Sequence, residues 1–385
     1  MQRGRPSCII YRMKSNQKNK KVLVALSGGI DSAVSAYLLI KKGYEVEAAF
    51  MKNWSSTAGL LKSECPWLQD RQDALRVAAF LHIPLHTLDF EDEYQKRVMR
   101  YFFDEYKKGR TPNPDVMCNK EIKFKLLYDW AMKKGFDYLA TGHYARSEAT
   151  KSRRGRRHST GAKNQYHLLR SKDEFKDQTY FIYNIEQQQL SHILFPIGGM
   201  KKAQVRSLAR KINLPNAEKK ESMGLCFVGK IRLKDFLEQK LKVKEGPTIN
   251  QNGKIVGTHH GLYNYTIGQR QGIRIGGTGP YFVYKKDLKY NKLFVTNNPN
   301  DKHLLTKEVQ IYSVNWISNN LKFKIKNLKL SGRYRHQGEL VPLTISCIKK
   351  DLYRVIFKCP QKAVASGQSL VLYRGKECVG GGVIV

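Results

Sequence analysis

Carboxylates are the scarce residues of this chain. Its 385 residues carry 32 Asp and Glu against 69 Lys and Arg, a formal net charge of +37. A lineage habit of lysine usage can produce such a surplus, but the surplus also suits a polyanionic partner, because each phosphate neutralised releases counterions. Cysteine pairs are missing too. None of the seven cysteines stands at C-x-x-C spacing, the number is odd, and no signal peptide is expected ahead of them. A secreted disulfide framework and a zinc finger are thereby disfavoured, and a reducing compartment with one or two chemically used thiols fits better. No apolar run approaches the length of a membrane span. What is present is ordinary for a globular protein, with 41 % hydrophobic and 26 % charged residues. The length predicts two or three domains.

Residues 1–21 contain no acid and are rich in Lys and Arg. They read as a basic tail, or alternatively as a mitochondrial transit peptide. From Lys21 the pattern alternates strand and helix. VLVAL predicts a buried strand, and Val34, Tyr37, Leu38 and Lys41 mark a helix that Gly43 stops. Glu45–Met51 predicts a second strand, LHTLDF a third and Asp137–Ala145 a fourth, with helices over Glu91–Lys107 and Asn119–Lys134. This alternation argues for an α/β fold with a parallel sheet covered on both faces. Ligands of such sheets bind at the carboxyl ends of the strands, where SGGIDS, the residues after Met51 and Thr141–His143 all fall. Ser147–Lys163 is a basic loop, read as a solvated insertion with RNA contact as its alternative. Beyond about Glu218 the chain turns Gly-rich, and from Glu308 onward short strand-like pieces predict an antiparallel barrel or sandwich.

SGGIDS, Ser27 to Ser32, lacks the GK[ST] ending of a P-loop and the spacing of GxGxxG. Two adjacent glycines let a backbone approach an anion, Ser27 and Ser32 add hydroxyls, and the next helix presents free N–H groups. Asp31 would cap that helix or help hold magnesium. The same pattern also describes a plain strand-to-helix turn, so residues alone leave both readings open. Cys118 follows a Pro-Asn-Pro turn and opens a helix whose dipole would favour thiolate, although a lone cysteine there is also compatible with an inert one. Cys226 lies in a Gly-flanked loop far along the chain.

SGGIDS matches the SGGxDS loop of enzymes that split ATP into AMP and pyrophosphate. It is followed in order by FMKNW, KGRTPNPDVMCNKEIKF, ATGHYAR, KDQTYF, GLCFVGK, TIGQRQG, GRYRHQ, SGQSLVLY and CVGGGVI. From near residue 21 to its end the chain resembles the tRNA-specific 2-thiouridylases, and the Asn-Pro-Asp-x-x-Cys-Asn-Lys block is the most specific part of that likeness. Ile30 in the loop, GLCF around Cys226 and Ala365-Ser366 depart mildly from the usual forms.

The resemblance implies a basic tail over 1–20, an ATP-pyrophosphatase catalytic domain over 21–215, a central tRNA-contacting domain over 216–304 and a β-barrel over 305–385. It implies that ATP, with Mg2+, binds at Ala25, Leu26, Ser27, Gly28, Gly29, Ile30, Asp31, Ser32, Met51 and Gly142. It makes Cys226 the persulfide-bearing thiol, Cys118 its partner and Asp115 an acid/base group beside the target uridine. Asn113, Pro114 and Asp115 would meet that base, while His143, Lys176, Asp177, Gln178, Arg333, Tyr334 and Gln368 would touch tRNA. The implied partners are wobble-uridine tRNAs, those for Lys, Glu and Gln, and a persulfide carrier protein; the implied state is a cytoplasmic monomer. The rival expectations are a 4-thiouridine synthetase or amidating ligase of the same ATP-splitting class, and a non-catalytic RNA-binding protein on the same fold.

Overall fold

Val22, Leu23 and Val24 have no solvent exposure, because the strand they form, β1 (Lys21–Ala25), runs through the middle of a sheet. The computed structural model describes residues 19–54, 66–150, 165–220, 233–238, 240–273, 275–276, 280–318 and 329–385. The flanking strands β2 (Glu45–Lys52), β3 (Leu85–Asp89), β4 (Tyr138–Ala140) and β7 (Ile193–Leu194) give the order β3-β2-β1-β4-β7, with every pair parallel. Apolar runs without polar alternation are what a sheet covered on both faces requires. The helix α1 (Ile30–Lys41) follows β1 directly.

The expected fourth strand over Asp137–Ala145 is broken in two. After β4 the chain turns through 141–144, and β5 (Ala145–Ala149) leaves the sheet altogether. It pairs with β6 (Tyr166–Arg170), and β6 pairs in turn with β17 (Glu377–Ile384) through Leu168 opposite Cys378. The start of the basic loop, Ser147–Ala149, is therefore strand; residues 151–164 lie outside the described residues.

The C-terminal strands β12 (Leu305–Trp316), β13 (Leu330–Arg333), β14 (Val341–Lys349), β15 (Leu352–Lys362), β16 (Ser369–Arg374) and β17 run in the order β12-β15-β14-β13-β16-β17, and β17 closes back on β12. This is the expected antiparallel barrel. SLVLY in β16 is buried throughout because its two faces serve two cores. Leu370 and Leu372 fill the barrel, while Val371 and Tyr373 pack with Tyr180, Tyr183 and Leu168 of the catalytic domain. Each such apolar side chain contributes about 1.5–3 kcal/mol, so barrel and catalytic domain share a continuous core. Between them stands a small sheet in the order β10-β11-β8-β9, from β8 (Glu245–Ile249), β9 (Ile255–His260), β10 (Phe282–Asp287) and β11 (Lys292–Thr296).

Candidate active site

The turn after β1 is knit by its own hydroxyls. The Ser27 amide donates to Ser32 Oγ at 3.2 Å, and Ser32 Oγ donates to the Gly29 carbonyl at 3.0 Å. Gly28 has φ +75°, and a Cβ there would stand 2.3 Å from the Asp70 carbonyl oxygen, so no other residue fits without moving backbone. The Gly28 carbonyl accepts from Asn216 Nδ2 at 2.9 Å. Gly142 abuts the same turn, since a Cβ on it would fall 2.7 Å from the Ser32 nitrogen. The amides of Ile30, Asp31 and Ser32 precede Ala33, which makes the helical bond to the Gly29 carbonyl; as the first turn of a helix they have no intrahelical acceptor and can donate to phosphate oxygens.

Asp31 is a correction. It does not cap α1, whose N-cap is Gly29 with no side-chain cap bond. Lys202 Nζ holds both carboxylate oxygens at 2.8 Å, and Tyr144 OH donates to one of them at 2.9 Å. Lys219 likewise bridges Asp70 and Asp73, at 2.7 and 2.6 Å, behind the glycines. The expected nucleotide residues Ala25–Ser32 and Gly142 are thus brought together. Met51, at the end of the adjacent β2, packs into the cluster that contains Cys118.

The second chemical segment runs from Arg110 to Cys118. Asn113 Oδ1 accepts from the Val116 amide at 3.2 Å, and Pro114 takes the first helical position, where a missing N–H costs nothing. Cys118 is only 4 % exposed, packed with Tyr94, Met99, Phe102 and Ile122. Burial pushes its thiol up to about 11, against the pull of Lys123 and with a further push from Asp115. Of the two readings of Cys118, burial favours the inert thiol in the free protein, because desolvation outweighs the favourable field. Cys226 lies outside the described residues.

This segment is clamped from two other domains. The Thr111 amide donates to the Ser366 carbonyl at 2.9 Å, and Gln368 Nε2 donates to the Thr111 carbonyl at 2.8 Å. Thr111 and Thr266 share a hydroxyl bond at 3.1 Å, and Arg110 Nη1 reaches Tyr312 OH at 3.2 Å. Between the two barrel contacts sits Gly367, at φ +88°, where a Cβ would be 2.9 Å from the Thr111 nitrogen.

Several expected tRNA contacts are interior. His143 is 8 % exposed, bonds Thr141 Oγ1 at 2.9 Å, and is held neutral by burial, well below the ordinary histidine range. Asp177, at 1 % exposure, receives Arg333 Nη1 at 2.9 Å and the Thr179 hydroxyl at 3.0 Å. Arg333 is itself buried and stacks over Tyr373. Docking of β6 on β17 carries these groups inside, so Asp177 and Arg333 join domains in this structure. Gln178 Oε1 accepts from the Tyr144 amide at 2.9 Å, and Gln368 faces Thr111. Half-buried Lys176 and Tyr334 keep part of their surface in solvent.

Sequence reasoning missed Lys202, Asn216, Lys219 and Thr111. Thr111 sits inside the quoted Lys108–Phe124 block without a role of its own there, and nothing in the local pattern of Lys202, Asn216 and Lys219 marks them; only the fold brings those three to the SGGIDS turn.

Family profiles match in the same order as the architecture. The one described as tRNA methyl transferase HUP domain covers residues 20–230, the tRNA methyl transferase PRC-barrel domain covers 234–297, and the aminomethyltransferase beta-barrel domain covers 306–384. The chain is 41 % identical over 378 residues to the tRNA-specific 2-thiouridylase MnmA of Pediococcus pentosaceus, covering 97 % of this chain and 96 % of that one. It is 42 % identical over 375 residues to the protein of the same name from Alkaliphilus oremlandii, with 97 % and 99 % coverage. A solved 4-thiouridine synthetase–RNA complex with bound ATP is 18 % identical at a TM-score of 0.35, covering 57 % of this chain and 50 % of that one, a likeness too slight to carry an argument.

Proposed function

The chain belongs to the tRNA-specific 2-thiouridylase family, and we propose that it thiolates the wobble uridine of tRNA in two chemical steps. In the first, the uridine O2 attacks the α-phosphorus of ATP and pyrophosphate leaves. The amides of the SGGIDS turn and the start of α1 hold the departing phosphates. Magnesium would enter with ATP on those phosphates; Asp31 is the carboxylate beside them, already neutralised by Lys202. In the second step, sulfur from a Cys226 persulfide forms the bond to C2 while the C2–O bond breaks and AMP departs with the oxygen. Cys118 attacks the Cys226 sulfur, either to free hydrosulfide for that step or to close a disulfide after it. An external thiol then reduces the pair. Asp115 would move the proton at the base.

One observation carries this reading. The SGGIDS turn and the Met51 end of β2 stand at the carboxyl ends of neighbouring strands, and Met51 packs into the cluster that contains Cys118. The phosphate grip and the thiol therefore face one region of the sheet, where ligands of this architecture bind. The tRNAs for Lys, Glu and Gln, a persulfide carrier protein, a monomeric state and a cytoplasmic setting belong to the same proposal. No helix among the described residues is long and apolar enough to cross a membrane.

The test is nucleoside mass analysis of tRNA after incubation with ATP and a persulfide donor. The wild-type protein should yield 2-thiouridine with release of AMP, and Cys226→Ala and Cys118→Ala should yield none. A 4-thio product, or thiolation that survives either substitution, would sink the scheme.

A further inference from the structure

A cavity of about 360 Å³ opens between the end of the helix over 91–107 and the central domain, away from the SGGIDS turn. Its rim carries Lys107, Lys240, Lys242 and Lys244, its floor is Leu241, Leu262 and the rings of Tyr106 and Tyr263, and no carboxylate is among the described residues that line it. Lys107 also lies 3.8 Å from Asp104, but four lysines at one concavity that no carboxylate lines still leave a local positive surplus, which favours an anion there.

The turn between β10 and β11 forms the far lip. Leu288 lines the cavity and is 50 % exposed, and next to it Tyr290 is 61 % exposed. Lys289 and Lys292 stand 5.2 and 5.8 Å from the Tyr290 ring centre. An exposed ring bracketed by two cations beside a lysine-rimmed apolar hollow is the chemistry that takes unpaired nucleotides: a flat face for a base, ammonium groups for phosphates. The lip is braced, since Leu288 lies against Gly109, which has no room for a Cβ.

We propose that this cavity and its Tyr290 lip form an RNA subsite, separate from the reaction centre, that takes an unpaired nucleotide of the tRNA substrate. The proposal rests on the tRNA reading given above. It locates one grip on that substrate outside the segment bearing Asp115 and Cys118.

The test measures tRNA binding by the full chain over a series of salt concentrations. The variants are Lys240→Ala/Lys242→Ala/Lys244→Ala, all at exposed positions, and separately Tyr290→Ala. The triple variant should lose roughly tenfold in affinity, and the slope of log K against log salt should fall by about two. Tyr290→Ala should lose about fivefold with its slope unchanged, since a stacking contact neutralises no phosphate. Release of pyrophosphate at saturating tRNA should stay at the wild-type rate. Unchanged affinity and slope in the triple variant would overturn the subsite while the wild type still thiolates. A wild type that binds no tRNA would overturn the functional reading instead. An affinity lost equally for tRNA and for duplex DNA of the same length would also overturn it, because that result marks a general cationic surface.

Discussion

The two loops that would meet at the reaction centre are held in opposite ways. SGGIDS is largely self-contained: its serines bond within the turn, and Asp70, Gly142, Lys202 and Asn216 support it from within residues 20–230, which one family profile spans. The Arg110–Cys118 segment is instead held from outside, by Ser366 and Gln368 of the barrel and Thr266 of the central domain. The geometry of the SGGIDS turn thus depends on one domain, whereas the geometry around Asp115 and Cys118 depends on three. A barrel displaced by mutation should leave the first intact and spoil the second.

The largest expected effect comes from the buried pair that seats the barrel. Asp177→Ala leaves Arg333 charged and without its partner in the interior, which costs about 3–5 kcal/mol. Thermal unfolding should report that loss, and tRNA thiolation at a temperature where the variant stays folded should fall well before ATP binding does. Equal loss of both would break the comparison. Gly28→Ala tests the other side. A Cβ 2.3 Å from the Asp70 carbonyl and an unfavourable φ together cost roughly 2–3 kcal/mol at the turn, so ATP binding should weaken by about 30–160-fold with the barrel contacts untouched. Gly29→Ala, whose Cβ meets only Ser27 Oγ at 3.4 Å, should be several times milder.

Gln368→Ala removes one bond to the Thr111 carbonyl, worth about 1 kcal/mol. Turnover should fall about fivefold while the affinities for ATP and tRNA hold. A rise in the tRNA dissociation constant at unchanged turnover would return Gln368 to the RNA surface. The smallest effects are in pH. Because burial raises the Cys118 thiol to about 11, its stabilising contribution is complete below the ordinary thiol value and is lost as pH rises through 9 to 11. Alkylation of Cys118 in the free protein should be slow at pH 8 and climb toward pH 11. His143 acts at the acid end: it is buried neutral, so its contribution is present above pH 6.5 and is lost as pH falls.

Legibility followed the range of the physics. The strands β1 to β3, the helices between them and the closing barrel were readable because each is written in local apolar periodicity and turn residues. The break after Ala140 was not, because β5 pairs with β6, and β6 is docked on β17 at the other end of the chain. Among the site residues, the spacing of the serines and glycines of SGGIDS left a phosphate grip and a plain turn both open, and the ordered blocks that follow tipped the reading. Cys118 was singled out from its place at a helix start and from the resemblance, but its burial could not be foreseen, since a dipole can be inferred from sequence position and desolvation cannot. Asp177 and Arg333 looked like surface charges for the same reason: burial is not a property of either residue by itself.

The sequence by itself determined the α/β catalytic fold, the closing barrel and the family, since these reside in local apolar periodicity and in short contiguous blocks. Only the tertiary structure decided that Asp31 belongs to Lys202, that Cys118 is kept protonated and that the Thr111 backbone is held by the barrel. Those outcomes depend on which groups share an interior, and sharing an interior is settled by packing between residues hundreds of positions apart.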